Sequence, residues 1–245
     1  MASVSGPFGD GEGQILTRST AGSAGETPPM TTLVGGAPVG AATLRAALAR
    51  APRLIAVDGG ADAVQGAGLV PEAVIGDLDS ISPAARAAFA DRLHPVAEQD
   101  STDFAKARRT FPGPVIAVGF IGARVDHFLA CLSELARGGA PCILLGEEDC
   151  VCIAAADTAL DLAPGTRVSL WPLGPAEGRS TGLEWPIDGI AMSPAGRVGT
   201  SNRATGRVTL SLSGAPIALI LPADALDAML AARQMGPRGA GPRSL

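Results

Sequence analysis

The chain has 245 residues, 47% hydrophobic and 18% charged, which is enough apolar material for a buried core and too much for global disorder. Nineteen basic residues against 24 acidic leave a formal charge of −5, which argues against a general nucleic-acid binder, a class that presents a basic face. The best candidate for a membrane span, residues 215–230, is broken by Pro216, Pro222, Asp224 and Asp227 and lacks the roughly 20 uninterrupted apolar residues required.

Residues 1–30 are rich in Gly, Ser, Thr and Pro, without apolar periodicity, and read as a disordered leader. No basic-then-apolar signal pattern opens the chain, and Met30, just before the first strand-like run, is an alternative natural start. Residues 31–147 alternate short apolar runs with helical stretches. The runs are Leu33-Val34, Leu54 to Val57, Ala73 to Ile75, Val96-Ala97, Val115 to Val118 and Cys142 to Leu145. Between them, helices are predicted over 41–50, 61–67, 83–91, 102–110 and 125–137, with Pro83 in a first turn and Ser82 as its N-cap. Continuous apolar strands alternating with helices imply a mostly parallel sheet covered on both faces, a three-layer α/β domain.

Residues 148–235 change character. Strands are predicted over 150–154, 167–171, 206–212 and 216–221, separated by Gly and Pro turns, with one closing helix over 223–233. This reads as a smaller antiparallel β-sandwich domain. Residues 236–245 form a Gly/Pro/Arg tail, expected to be flexible. Cys131, Cys142, Cys150 and Cys152 contain no CxxC pair and no histidines at zinc spacing, and read as reduced, buried thiols of a cytoplasmic protein.

The polar residues of the first domain gather after its strands. Asp58-Gly59-Gly60, Gly76-Asp77-Leu78-Asp79-Ser80, Gln99-Asp100-Ser101-Thr102-Asp103 and the loop 119–127 each follow an apolar run. In open α/β sheets, ligands sit beyond the carboxyl ends of the strands, so four such loops converge on one edge. Asp77 and Asp79, two residues apart in an extended segment, face the same way, and two close carboxylates suit a hard cation such as Mg²⁺. The competing reading makes Asp79 or Ser80 a helix cap. Asp103 opens a helix behind the candidate cap Thr102, and Lys106 lies one turn on.

Lys106 is the only lysine among 19 basic residues. A compact ammonium retained in so Arg-biased a chain points to a phosphate contact, against an ordinary surface ion pair. Arg124 can bind phosphate in fork geometry, and Asp126 can complete the acidic set. His127 reads as helix packing or a neighbour's hydrogen-bond partner rather than a metal ligand. The chain has no GxxxxGK[ST] and no ordered GxGxxG after a strand, though Gly35-Gly36 and Gly59-Gly60 permit close backbone approach to a nucleotide. Trp171 reads as core. Trp185, taken alone, reads equally as core or as a ligand face.

In this order the motifs resemble the thiamine pyrophosphokinase family over about residues 32–222. Asp58-Gly59-Gly60-Ala61, Gly76 to Ser80, Gln99 to Lys106, Gly122 to His127, Ser180 to Trp185 and Thr200-Ser201-Asn202 carry the likeness. One departure is Ala123, where the family often has glycine. The resemblance implies transfer of diphosphate from ATP to the hydroxyl of thiamine, an α/β domain followed by a β domain, and a homodimer with active sites between subunits. It implies Asp77, Asp79 and Asp103 as Mg²⁺ ligands, with Asp126 as a further catalytic acidic group. It puts Lys106 and Arg124 on the polyphosphate, with Gly59, Gly60, Ser80 and Thr102 on the same ATP side. Gln99, Trp185, Ser201 and Asn202 would surround thiamine, whose thiazolium cation suits an aromatic face. Asp126 or Asp100 would take the hydroxyl proton. The alternatives are a Mg²⁺-dependent nucleotide phosphohydrolase and a non-catalytic nucleotide or thiamine sensor on the same fold.

Overall fold

A computed structural model describes residues 28–235 apart from Ala97, Gln99 and Ala123. The leader up to residue 27, the tail 236–245 and Gln99 therefore lie outside the described residues. The first half runs β1 (Thr31–Val34), α1 (Ala41–Leu48), β2 (Arg53–Val57), α2 (Gly60–Gly66), β3 (Ala73–Gly76), α3 (Pro83–Ala88), β4 (Leu93–Pro95), α4 (Asp103–Thr110), β5 (Val115–Val118), α5 (Val125–Ala136) and β6 (Cys142–Leu145). The second runs β7 (Asp149–Ile153), β8 (Asp157–Leu160), β9 (Arg167–Pro172), β10 (Ala176–Leu183), β11 (Gly199–Gly214), β12 (Ile217–Pro222) and α6 (Leu226–Ala232).

Strands β6-β5-β1-β2-β3-β4 are parallel neighbours in that order. Alternate residues of each strand point to opposite faces, which builds two cores. Val34, Ala56, Val74, Ile116 and Ile143 pack with Leu44, Ala61, Val64 and Ala85 of α1, α2 and α3. Leu33, Ile55, Ile75, Ala117 and Leu144 pack with Phe104, Cys131, Leu132 and Leu135 of α4 and α5. Helices on both faces of a parallel sheet are the three layers expected.

The sheet does not stop at β6. β7 pairs antiparallel with β6, β12 with β7, and β9 with β12. β11 then pairs with β9 through its first residues and with β8 and β10 through the rest. The mixed α/β fold, a mostly parallel sheet extended by antiparallel strands, is as expected in class. No described helix is long and apolar enough to cross a membrane. All four cysteines are free and buried, and desolvation pushes each thiol up to about 12.

Several elements differ from expectation. Helix α3 stops at Ala88 because Phe89 leaves helical geometry (φ −117°) and buries its ring, and a short 3₁₀ turn follows. Strand β4 is Leu93–Pro95, before the expected Val96-Ala97; Val96 follows it, and Ala97 lies outside the described residues. The strand lies at the sheet edge, where a proline forfeits no ladder hydrogen bond. β8 and β10 were not predicted, and β10 (AEGRSTGL) has too little apolar alternation to announce itself. β11 spans 16 residues instead of the seven expected over 206–212. Trp171 is not core: on β9 it points outward between buried Leu170 and Pro172.

Candidate active site

The strand order reverses at β1, which has β5 on one side and β2 on the other. Such a reversal opens a crevice at the carboxyl ends of the strands. Gly35 and Gly119 let the two chain segments touch there. Gly35 N–H donates to Val118 O at 2.8 Å, and a Cβ on Gly35 would sit 2.6 Å from Gly119 O. The resulting cleft has a volume of about 540 Å³. Gly36, Gly59, Ser80 and Thr102 line it on the strand-end side, and Phe104 and Phe120, ring centroids 4.8 Å apart, supply an apolar wall. His127 and Cys131 of α5 close another side.

Three carboxylates meet at this edge. Asp58, Asp77 and Asp79 each offer an oxygen within 4.8 Å of the others. The backbone is bent to present them. Asp58 has φ 45° and Leu78, between the other two, has φ 64°, the left-handed region that costs a non-glycine residue free energy. Leu78 is 4% exposed, so its buried side chain anchors the turn that holds Asp77 and Asp79 on either side. Ser80 N–H donates to Asp58 Oδ1 at 3.3 Å, and the Ser80 hydroxyl donates to Asp79 Oδ1 at 2.8 Å. Asp79 N–H donates to Asp77 Oδ1 at 3.2 Å. Burial pushes the Asp58 carboxyl above the usual aspartate range, and nearby Asp103 adds to this, while Ser80 and the Gly59 backbone oppose it. Hard oxygens in a compact, negatively charged group fit a small divalent cation.

Sequence reasoning named Asp77, Asp79 and Asp103 but did not name Asp58 as a member of this group. The signal was present, since Asp58 ends its strand just as Asp77 does. Asp103 lines the cleft, its Cγ 3.3 Å from where a Cβ on Gly76 would lie; it is outside the three-carboxylate group and accepts from Lys106 Nζ at 2.9 Å.

Lys106 lies next to this residue. Its side chain is 3% exposed, on the face of α4 that buries Phe104, Ala105 and Ala107, and it does not line the cleft. Its ammonium pairs with Asp103, a residue that lines the cleft. Thr102 caps α4 as read, accepting from Ala105 N–H at 3.2 Å. Gly60 is buried: a Cβ there would fall 1.9 Å from Val34 O, so its visible work is to let α2 approach β1.

Arg124 lines the cleft, but its guanidinium holds Asp126, at 3.2 Å through Nε and 2.5 Å between Nη2 and Oδ2. That hydrogen-bonded pairing holds the Asp126 carboxyl below its usual range and raises Arg124. Both are well exposed, and Asp126 is not part of the acidic group.

Trp185, Asn202 and Ser201 form their own cluster at β10 and β11. Asn202 Nδ2 donates to Trp185 O at 2.6 Å, and Trp185 N–H donates to Asn202 Oδ1 at 3.2 Å. Ser201, at φ 60°, is held by its N–H on Ser169 Oγ at 3.0 Å. Trp185 is 51% exposed, with the Arg203 guanidinium 5.5 Å from its ring centroid. Six strands stand between β11 and β2. At about 4.8 Å per spacing, Trp185 and Asp58 are separated by on the order of 35 Å along the sheet.

Residues 44–143 match the family model described as thiamin pyrophosphokinase, catalytic domain, a span that includes Asp58, Asp77, Asp79, Asp103, Lys106, Arg124 and Asp126. Thiamine pyrophosphokinase 1 of Oryza sativa subsp. japonica is 29% identical over 157 residues, 54% of this chain and 58% of the relative. The chain thus spans a little over half the length of that relative. Among solved structures, thiamin pyrophosphokinase from Candida albicans aligns with a TM-score of 0.70 at 16% identity, over 80% of this chain and 89% of that one. The Bacillus subtilis thiamine pyrophosphokinase aligns with a TM-score of 0.67 at 21% identity, over 80% and 99%. At these identities the structures establish the fold.

Proposed function

We propose that this chain, a member of the thiamin pyrophosphokinase family, transfers the terminal diphosphate of ATP to the hydroxyethyl oxygen of thiamine, giving AMP and thiamine diphosphate. The observation that carries this reading is the acidic group of Asp58, Asp77 and Asp79, joined through Asp58 to a glycine-walled cleft on the switch point of the sheet that Asp103 also lines. Those three carboxylates, with Asp103 beside them, would hold Mg²⁺. Bound there, it would supply neutralisation of the charge carried by the phosphates and the departing AMP.

Diphosphoryl transfer needs alignment and charge neutralisation more than covalent help. The hydroxyl oxygen of thiamine attacks the β-phosphorus, the bond from β-phosphorus to the bridging oxygen of the α-phosphate breaks, and AMP leaves with that oxygen. Gly36, Gly59, Ser80 and Thr102 give the triphosphate close backbone and hydroxyl contacts. Arg124 exchanges Asp126 for phosphate, which takes the same bidentate fork. The hydroxyl proton passes to Asp126, freed by that exchange, or to Asp100, two residues before Thr102.

Trp185, Asn202 and Ser201 bind thiamine, the indole face attracting the thiazolium cation. Because these residues lie far along the sheet from the acidic group, the reading includes a homodimer in which one copy supplies the cleft and its partner supplies the Trp185 cluster. Four buried free thiols support a reducing, cytoplasmic setting. The test is chromatography of ATP, Mg²⁺, thiamine and protein. AMP and thiamine diphosphate are expected in equal amounts, with neither formed when thiamine is left out. AMP released without thiamine would replace this reading with a nucleotide phosphohydrolase.

A further inference from the structure

Helix α1 has no cap of its own. Its N-cap is Gly40, in extended geometry and with no side chain to give, and its first turn holds no acidic residue. The cap comes from 107 residues further along the chain, where Glu147 Oε1 accepts from Gly40 N–H at 2.7 Å. A carboxylate there takes the place that a first-turn glutamate holds in a capping box, and it faces the positive end of the helix dipole. The fit is exclusive. A Cβ on Gly40 would stand 2.9 Å from both carboxylate oxygens, so an N-cap side chain and Glu147 compete for one space.

The segment that this bond ends is a wall of the cleft, lined by Gly35, Gly36 and Ala37. Gly35 N–H ties it to Val118 O, and Ala37 N–H to Gly119 O at 3.0 Å. Pro38 has no N–H to donate, and the next tether is the bond from Gly40 to Glu147. Glu147 is in turn held by its neighbours. Its turn closes through Gly146 N–H on Asp149 O at 2.8 Å, and Glu148 O accepts from Ala223 N–H at 3.0 Å. A Cβ on Gly146 would stand 3.4 Å from the side chain of Ile121, which lies between Phe120 and Gly122 of the cleft wall. The β6–β7 turn thus abuts both loops that wall the cleft.

We infer that Glu147 is a positioning residue for nucleotide binding: through Gly40 it fixes the loop 35–40 in the shape that lines the cleft. It does not itself line the cleft. This inference rests on reading the cleft as the nucleotide site, so its test reads nucleotide binding directly. α,β-Methylene-ATP with Mg²⁺ is titrated calorimetrically into the parent, Glu147→Ala and Glu147→Gln. The parent is expected to bind saturably. Glu147→Ala should bind about fivefold more weakly, the scale of a lost N-cap. Glu147→Gln should stay within about twofold of the parent, because its amide oxygen accepts the same bond. Without nucleotide, the amides of 35–40 should exchange about fivefold faster in Glu147→Ala, with those of β2 and β3 unchanged.

A parent that does not bind the analogue removes the nucleotide reading and this inference together. Glu147→Ala binding within twofold of the parent removes this inference alone, even if its Tm falls, the mark of a purely structural cap. Glu147→Gln as weak as Glu147→Ala also overturns it, since charge rather than the bond to Gly40 would then matter. Analogue binding that depends on Glu147 in a protein that forms no thiamine diphosphate keeps this inference and removes the diphosphate-transfer reading.

Discussion

Gly76 and Asp58 approach so closely that a methyl group on Gly76 would lie 3.0 Å from the Asp58 Cβ, and it would also lie 3.3 Å from Asp103 Cγ. Gly76 further adopts φ 149°, a conformation that side chains rarely take. Gly76→Ala is therefore expected to push Asp58 and Asp103 apart and lower kcat/KM at least tenfold. The strained backbone adds about 1–3 kcal/mol of destabilisation. Steady-state kinetics and urea unfolding check the two effects separately.

Asp58 provides a pH test. Burial raises its carboxyl in the folded state, so the folded protein holds that proton more tightly than the unfolded chain. The contribution is favourable below the ordinary aspartate range near about 4 and is lost as pH rises through that range and the raised folded value. In EDTA, Asp58→Asn should gain stability relative to the parent as pH is raised from acid to neutral, measured by urea unfolding. Adding Mg²⁺ at neutral pH should reverse the ranking, since only the parent keeps the full ligand set.

Trp185 and Trp171 separate ligand contact from general exposure. Both are exposed, but only Trp185 is bonded to Asn202. Trp185→Ala is expected to raise the KM for thiamine about 2- to 30-fold, the equivalent of a cation–aromatic contact of about 0.5–2 kcal/mol. The KM for ATP should change less, and Trp171→Ala should leave both constants within twofold.

The four thiols, each pushed up to about 12 by desolvation, carry almost no thiolate at neutral pH. Ellman's reagent should react slowly with the native protein and release four equivalents in guanidinium chloride. Rapid reaction of one native thiol would single out Cys131, which borders the cleft.

Much of this was legible in the residues. Short apolar runs alternating with helical stretches announced the parallel sheet, and the loops after those runs announced the edge where Asp77, Asp79, Ser80 and Thr102 stand. What escaped was three-dimensional. Asp58 followed the same rule as Asp77, but its Gly-Gly neighbours drew attention to backbone rather than carboxylate. The odd status of Lys106 was visible in composition, yet only packing shows that its ammonium points inward to Asp103. β10 stayed hidden because an edge strand needs little apolar alternation, and Trp171 was misread because its apolar neighbours concealed which face of β9 it occupies.

Strand β7 hydrogen-bonds to β6 on one side and β12 on the other. A truncated protein ending at Gly146 would strip that cover and leave β6 as a raw, solvent-facing border, with Leu144 and Leu145 beside unmet amide groups. Such a border recruits other chains, so the shortened α/β half is expected to clump during expression rather than survive as a smaller folded protein.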